Sequence, residues 1–170
     1  MKMMKRQLYL ALVTLLAAVT FASPLKAQDP PPGGFKNPFL QVGNSGKVSL
    51  TYSRWSEQVK KGRYTLVFFW ASWSDEARQE APYVQSVHNS RSGRDLTVLG
   101  VPYQDEISDS IDAMTEWGMT FSQIVDVDDD LAGPYGLDSI PFVVLLGPDG
   151  EVVASGLHGE GIREAVAAHL

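Results

Sequence analysis

The sequence predicts one α/β domain, a mixed central sheet with helices on both faces. Tyr64 to Trp70 (YTLVFFW) is an unbroken apolar, aromatic and β-branched run, which marks a strand covered on both faces. Strand-like and helix-like segments then alternate, and a hairpin and a last helix close the chain. The 170 residues are 44% apolar and 20% charged, enough for a real core and too weakly charged for a disordered chain.

The fold is expected to begin well after Met1. Lys2, Lys5 and Arg6 precede an apolar run from Leu8 to Phe21, and Leu25-Lys26-Ala27 stands before the polar Gln28. A basic start, an apolar stretch too short to span a bilayer comfortably and a small residue at its end describe a secretory signal over residues 1–27. The expected product is exported, periplasmic or secreted; an uncleaved N-terminal anchor is the alternative. Residues 28–39 contain Pro30, Pro31, Pro32, Gly33 and Gly34 and read as a tether. Residues 40–170 are the globular domain.

Each element has its own signal. Lys47 to Tyr52 reads as a short strand, and Trp55 to Lys60 as a helical turn closed by Gly62. After the central strand, Ser74 to Ser90 reads as a helix with Ala77, Ala81, Val84 and Val87 on one stripe. Ser72 or Ser74 is placed to cap it, Asp75, Glu76 and Glu80 suit its positive end, and Pro82 should kink it. Leu96 to Val101 is the next strand, and Ile107, Ile111, Met114 and Trp117 mark a helix ending at Gly118. Phe121 to Val127 reads as a strand, and Asp128 to Leu137 as a loop with one helical turn. Phe142 to Leu146 and Val152 to Ser155 form a hairpin about the turn Gly147-Pro148-Asp149-Gly150. Ile162, Val166 and Leu170 give the last helix its apolar side.

Composition excludes several classes of function. With no cysteine, the chain has no disulfide, thiolate metal site, iron–sulfur cluster, lipid-anchor cysteine or thiol reaction. Loss of residues 1–27 removes four basic groups and no acidic one, leaving 10 Lys+Arg (14 minus 4) against 20 Asp+Glu and a net charge of −10 instead of −6. Such a surface repels phosphate backbones and anionic headgroups, so neither nucleic acid nor membrane is an expected partner. Asp126, Asp128, Asp129 and Asp130 read as a solvated loop, because an EF-hand would need a Gly and a distal Glu. His88, His158 and His169 have no metal-ligand spacing, and His88 suits the negative end of its helix. No metal and no cofactor are expected.

Several segments, in this order, carry a family resemblance. They are Val67-Phe68-Phe69-Trp70-Ala71-Ser72-Trp73, Arg78-Gln79-Glu80-Ala81-Pro82, Gly118-Met119-Thr120, Tyr135-Gly136-Leu137-Asp138-Ser139-Ile140-Pro141 and Pro148-Asp149-Gly150. Over residues 40–170 the chain resembles the thioredoxin fold, in the exported TlpA-like branch of the redoxin superfamily related to AhpC/TSA. That resemblance implies a Cys-x-x-Cys pair at the helix start, but those positions are Ser74 and Ala77. It also implies a buried carboxylate under the pair, where Phe68 stands. Asp75 and Glu76 would further oppose an anion there. A serine hydroxyl forms no exchangeable disulfide and an alanine resolves none.

What survives such a loss is binding. The resemblance implies a cis peptide bond at Ile140-Pro141, facing the Ser74 helix, whose backbone pairs with extended peptide. Pro141 as a mere shaper of the next strand is the alternative. Ser74 is read first as a helix cap, then as a ligand contact of the kind a glutathione transferase uses, and last as a nucleophile. Trp70 and Trp73 either flank this surface or belong to the core. The leading expectation is a redox-inactive binding or chaperone-like module, holding extended peptide or an exported protein with Trp73, Ser74, Ile140 and Pro141. A thiol-disulfide oxidoreductase in redox homeostasis, as the resemblance alone implies, and a purely structural tethered domain are the rivals.

Overall fold

The computed structural model describes residues 36–91 and 95–170, so the expected leader and most of the expected tether lie outside the described residues. In chain order the elements are β1 (Asn37–Val42), β2 (Val48–Ser53), α1 (Trp55–Gln58), β3 (Tyr64–Trp70), α2 (Asp75–Arg91) and β4 (Leu96–Pro102). Then come α3 (Ile107–Glu116), β5 (Ser122–Ile124), a 3₁₀ turn (Gly133–Tyr135), β6 (Phe142–Leu146), β7 (Val152–Ser155) and α4 (Glu160–His169). One seven-stranded sheet runs β2-β1-β5-β4-β3-β6-β7. β3, β4 and β5 are parallel, and β6, β7, β1 and β2 extend the sheet antiparallel on either side.

β3 lies in the middle of this sheet, between β4 and β6, with Thr65 to Trp70 all at 0% exposure. Its side chains alternate between two cores. Leu66, Phe68 and Trp70 meet α2, α3 and α4 through Ala77, Ala81, Val84, Met114, Ile162 and Val166. Val67 and Phe69 meet Trp55 of α1 and Tyr135 of the 3₁₀ turn. The sheet is thus covered on both faces but unequally. Right-handed crossovers from β3 to β4 and from β4 to β5 step the same way, so α2 and α3 share a face. Glu80 in α2 accepts a hydrogen bond from the Gly159 amide and so ties α4 to the same layer.

Three sequence expectations outside the site need correction. Residues 37–39 of the expected tether belong to β1, where Phe39 and Leu40 are buried and pair with Thr51 and Leu50. Pro38 is compatible with that strand because its carbonyl still accepts from the Val125 amide at 2.8 Å. β5 ends at Ile124 instead of Val127, since the Asp126 carboxylate turns to the loop that follows it.

His88 is the third correction. It is half-buried, its ring lies 5.9 Å from that of Phe121, and burial pushes its pKa down, so it packs as a neutral ring. The unfolded chain protonates this group near 6.5, before the folded chain does. Its contribution to stability is complete above that pH and falls as the pH drops through and below it. Melting temperatures measured from pH 7 down to 5.5 are expected to decline, and His88→Phe should flatten that decline. An unchanged slope in the variant would place the proton uptake elsewhere.

Candidate functional site

The site stands at the carboxyl ends of the parallel strands, where the turns after β3, β4 and β5 converge. Trp70 ends β3 inside the core, its ring 5.2 Å from Trp117 and 6.4 Å from Phe68. Its Nε1 donates to Gln123 Oε1 at 2.9 Å, and Gln123 Nε2 donates to the Phe121 carbonyl at 3.0 Å. A Cβ on Gly100 would lie 1.6 Å from that Oε1, so a glycine in β4 makes room for the buried amide. Trp70 is therefore core, and of the two tryptophans only Trp73, 64% exposed, is at the surface.

The turn from β3 into α2 is fixed by a single carboxylate. Asp105 accepts the Ser72 amide at 2.8 Å, the Ser72 hydroxyl at 2.7 Å and the Ser110 hydroxyl at 2.9 Å. It clamps this turn to the start of α3. Ser72 is thereby committed, and Ser74 is the cap of α2: its Oγ accepts the Ala77 amide at 3.1 Å, and the residue is 4% exposed. Such a cap stabilises a helix by about 1 kcal/mol. Ala77 is fully buried. The two positions where the resemblance implies thiols thus hold a buried hydroxyl already engaged and a methyl group in the core.

Ile140 and Pro141, joined by a cis bond, lead into β6, whose ladder with β3 ends at Phe69↔Phe142. They leave the sheet where Ala71 to Ser74 begins. Trp73 leans the other way. Its Nε1 donates to the Gln104 carbonyl at 3.3 Å, and its ring lines a cleft with Asp105, Glu106, Ile107, Asp109, Val125, Asp126 and Val127. Of the four candidate binding residues, Trp73 faces this cleft, Ser74 is buried as a cap, and Ile140 and Pro141 stand at the β6 entrance.

Sequence reasoning missed the clamp at Asp105 and the cleft residues Glu106, Ile107 and Val127. The available signal was Val127, an apolar residue inside an acidic run and 60% exposed. Asp126 also differs from the solvated loop expected of it. It is buried, and its oxygens accept the Leu131 and Ala132 amides at 3.2 and 2.7 Å. Burial, with help from Asp129, raises its pKa against those two hydrogen bonds. Burial and the charge of Asp129 likewise raise that of Tyr103. Among the described residues no group of His, Asp and Glu forms a metal site, and no helix is long and apolar enough to cross a membrane.

Residues 40–155 match a family model described as the AhpC/TSA family. The thiol-disulfide oxidoreductase ResA of Bacillus anthracis is 22% identical over 110 residues, 65% of this chain and 63% of that protein. The thiol:disulfide interchange protein CycY of Rhizobium leguminosarum is 30% identical over 94 residues, 55% of this chain and 49% of its own. The match thus spans less than two thirds of either relative. Among solved structures, the thioredoxin domain of a thiol-disulfide oxidoreductase from Bacteroides vulgatus superposes with a TM-score of 0.62. It is 25% identical and covers 81% of this chain and 97% of its own.

Proposed function

Because this chain belongs to the AhpC/TSA family and has no cysteine, we propose that it is a redox-inactive member that binds extended polypeptide. The leader motif at residues 1–27 further suggests that it works outside the cytoplasm, in the periplasm or as a secreted protein. One observation carries the reading. Trp73 stays 64% exposed beside a helix start whose thiol positions are Ser74 and Ala77. Trp73 and Val127, the latter 60% exposed, line the same cleft, and exposed apolar side chains grouped around one cleft mark an interaction surface where a lone one does not.

The mechanism is recognition without covalent exchange. The Asp105 clamp and the Ser74 cap hold the β3–α2 turn rigid, so the partner orders little besides itself. The backbone before Pro141 offers polar groups for an extended chain, and Trp73 offers apolar area. The test is a fluorescence titration with an unfolded, cysteine-free polypeptide. Trp73→Ala should weaken binding about tenfold while the melting temperature shifts by less than about 2 °C, as for other exposed positions. Absence of binding by the wild type, or equal binding by the variant, would overturn the reading.

A further inference from the structure

The cleft beside Trp73 has a volume of about 420 Å³, within the range of sites that take a small ligand or a side chain. Trp73, Ile107, Val125 and Val127 give it apolar walls, and four carboxylates also line it. Two of these are used internally: Asp105 by Ser72 and Ser110, Asp126 by the Leu131 and Ala132 amides. Glu106 and Asp109 are exposed, and among the described residues Asp109 has a 3.4 Å contact with the Ser108 hydroxyl. Among the described residues no lysine or arginine lines the cleft. In the adjoining groove, which shares Asp109, the cation Arg78 is bound to Glu116 at 2.7 Å and leaves Asp75 and Asp112 beside it.

We propose that this cleft receives an arginine side chain of a basic, extended polypeptide, the guanidinium stacked on the Trp73 ring and paired with Glu106 and Asp109. This deepens the peptide-binding reading and rests on it. A planar cation fits an indole face and two carboxylates together better than a compact ammonium does. The start of α3 opposes a cation with about half a positive charge. Glu106 and Asp109 carry two full negative charges, so the local balance favours the cation. The acidic net charge of −6 adds long-range attraction for a basic segment.

Three labelled heptapeptides of glycine, serine and leucine, differing only in a central arginine, citrulline or glutamate, test this by fluorescence anisotropy on the full chain. The arginine peptide should bind about tenfold tighter than the citrulline peptide at low salt, with the preference shrinking as NaCl screens it. Trp73→Leu, and the pair Glu106→Gln with Asp109→Asn, should each cut the preference to about twofold or less. The pair Glu160→Gln with Glu164→Gln, on α4, should leave it unchanged. Equal binding of arginine and citrulline peptides overturns the arginine site and leaves the peptide-binding reading standing. A preference that survives in the cleft variants, or that falls equally in the α4 control, also overturns it. Failure of all three peptides to bind overturns it too, and the unfolded-polypeptide titration then judges the broader reading by itself.

Discussion

Trp70→Ala is expected to lower the free energy of unfolding by about 3–5 kcal/mol. The ring is fully buried, packs on Phe68 and Trp117, and removing it leaves a cavity at the carboxyl end of β3. It also strands Gln123 Oε1 without its donor, a penalty of about 1–3 kcal/mol for a buried polar atom. Single domains are stable by only about 5–15 kcal/mol, so this one truncation removes a large fraction of the total. Urea denaturation of Trp70→Ala beside Trp70→Phe helps separate the effects, because phenylalanine loses the hydrogen bond but keeps most of the buried volume. A loss under about 1 kcal/mol for the alanine variant would be incompatible with Trp70 as core.

The second large effect is a gain. Ser74→Cys combined with Ala77→Cys should give measurable disulfide-reducing turnover in an insulin reduction assay, above that of the wild type. Position 74 caps α2, so a thiolate there meets free amides at the positive end of a helix, which favours it. Asp75 and Glu76 push the other way by like charge, and the fully buried Phe68 supplies no proton acceptor. Turnover should therefore be slow at pH 7 and rise towards the ordinary thiol pKa of about 8.5. Failure of the two sulfurs to pair in a folded variant would contradict the equivalence of these positions to a Cys-x-x-Cys pair. Reducing turnover by the wild type, with contaminating reductase excluded, would contradict the redox-inactive reading itself.

The elements with strong periodicity or long apolar runs were legible in the sequence. β3 spans the YTLVFFW run, the buried stripe Ala77, Ala81, Val84 and Val87 lies on α2, and the β6–β7 hairpin turns at Gly147 to Gly150. β1 was hidden because Asn37 and Pro38 are poor strand formers; burial of Phe39 and Leu40 between β2 and β5 overrides their propensity. Ser74 was legible as a cap, since a serine just before an acidic first turn is a local signal. The Asp105 clamp was not, because it joins Ser72 and Ser110 through two turns far apart in sequence. The split fates of Trp70 and Trp73 follow from their positions: one ends a two-faced buried strand, the other begins the turn after it. No local pattern says that the exposed ring would lean on Gln104.

The peptide-binding reading is tested most directly by mapping amide chemical shifts during titration with the unfolded, cysteine-free polypeptide. The expected result is one patch of perturbed amides comprising Ala71 to Ser74, Gln104 to Ile107, and Ser139, Ile140 and Phe142, with β2 and the exposed side of α4 unmoved. Saturating polypeptide that leaves those three segments unperturbed, or shifts confined to β2 or α4, would contradict it.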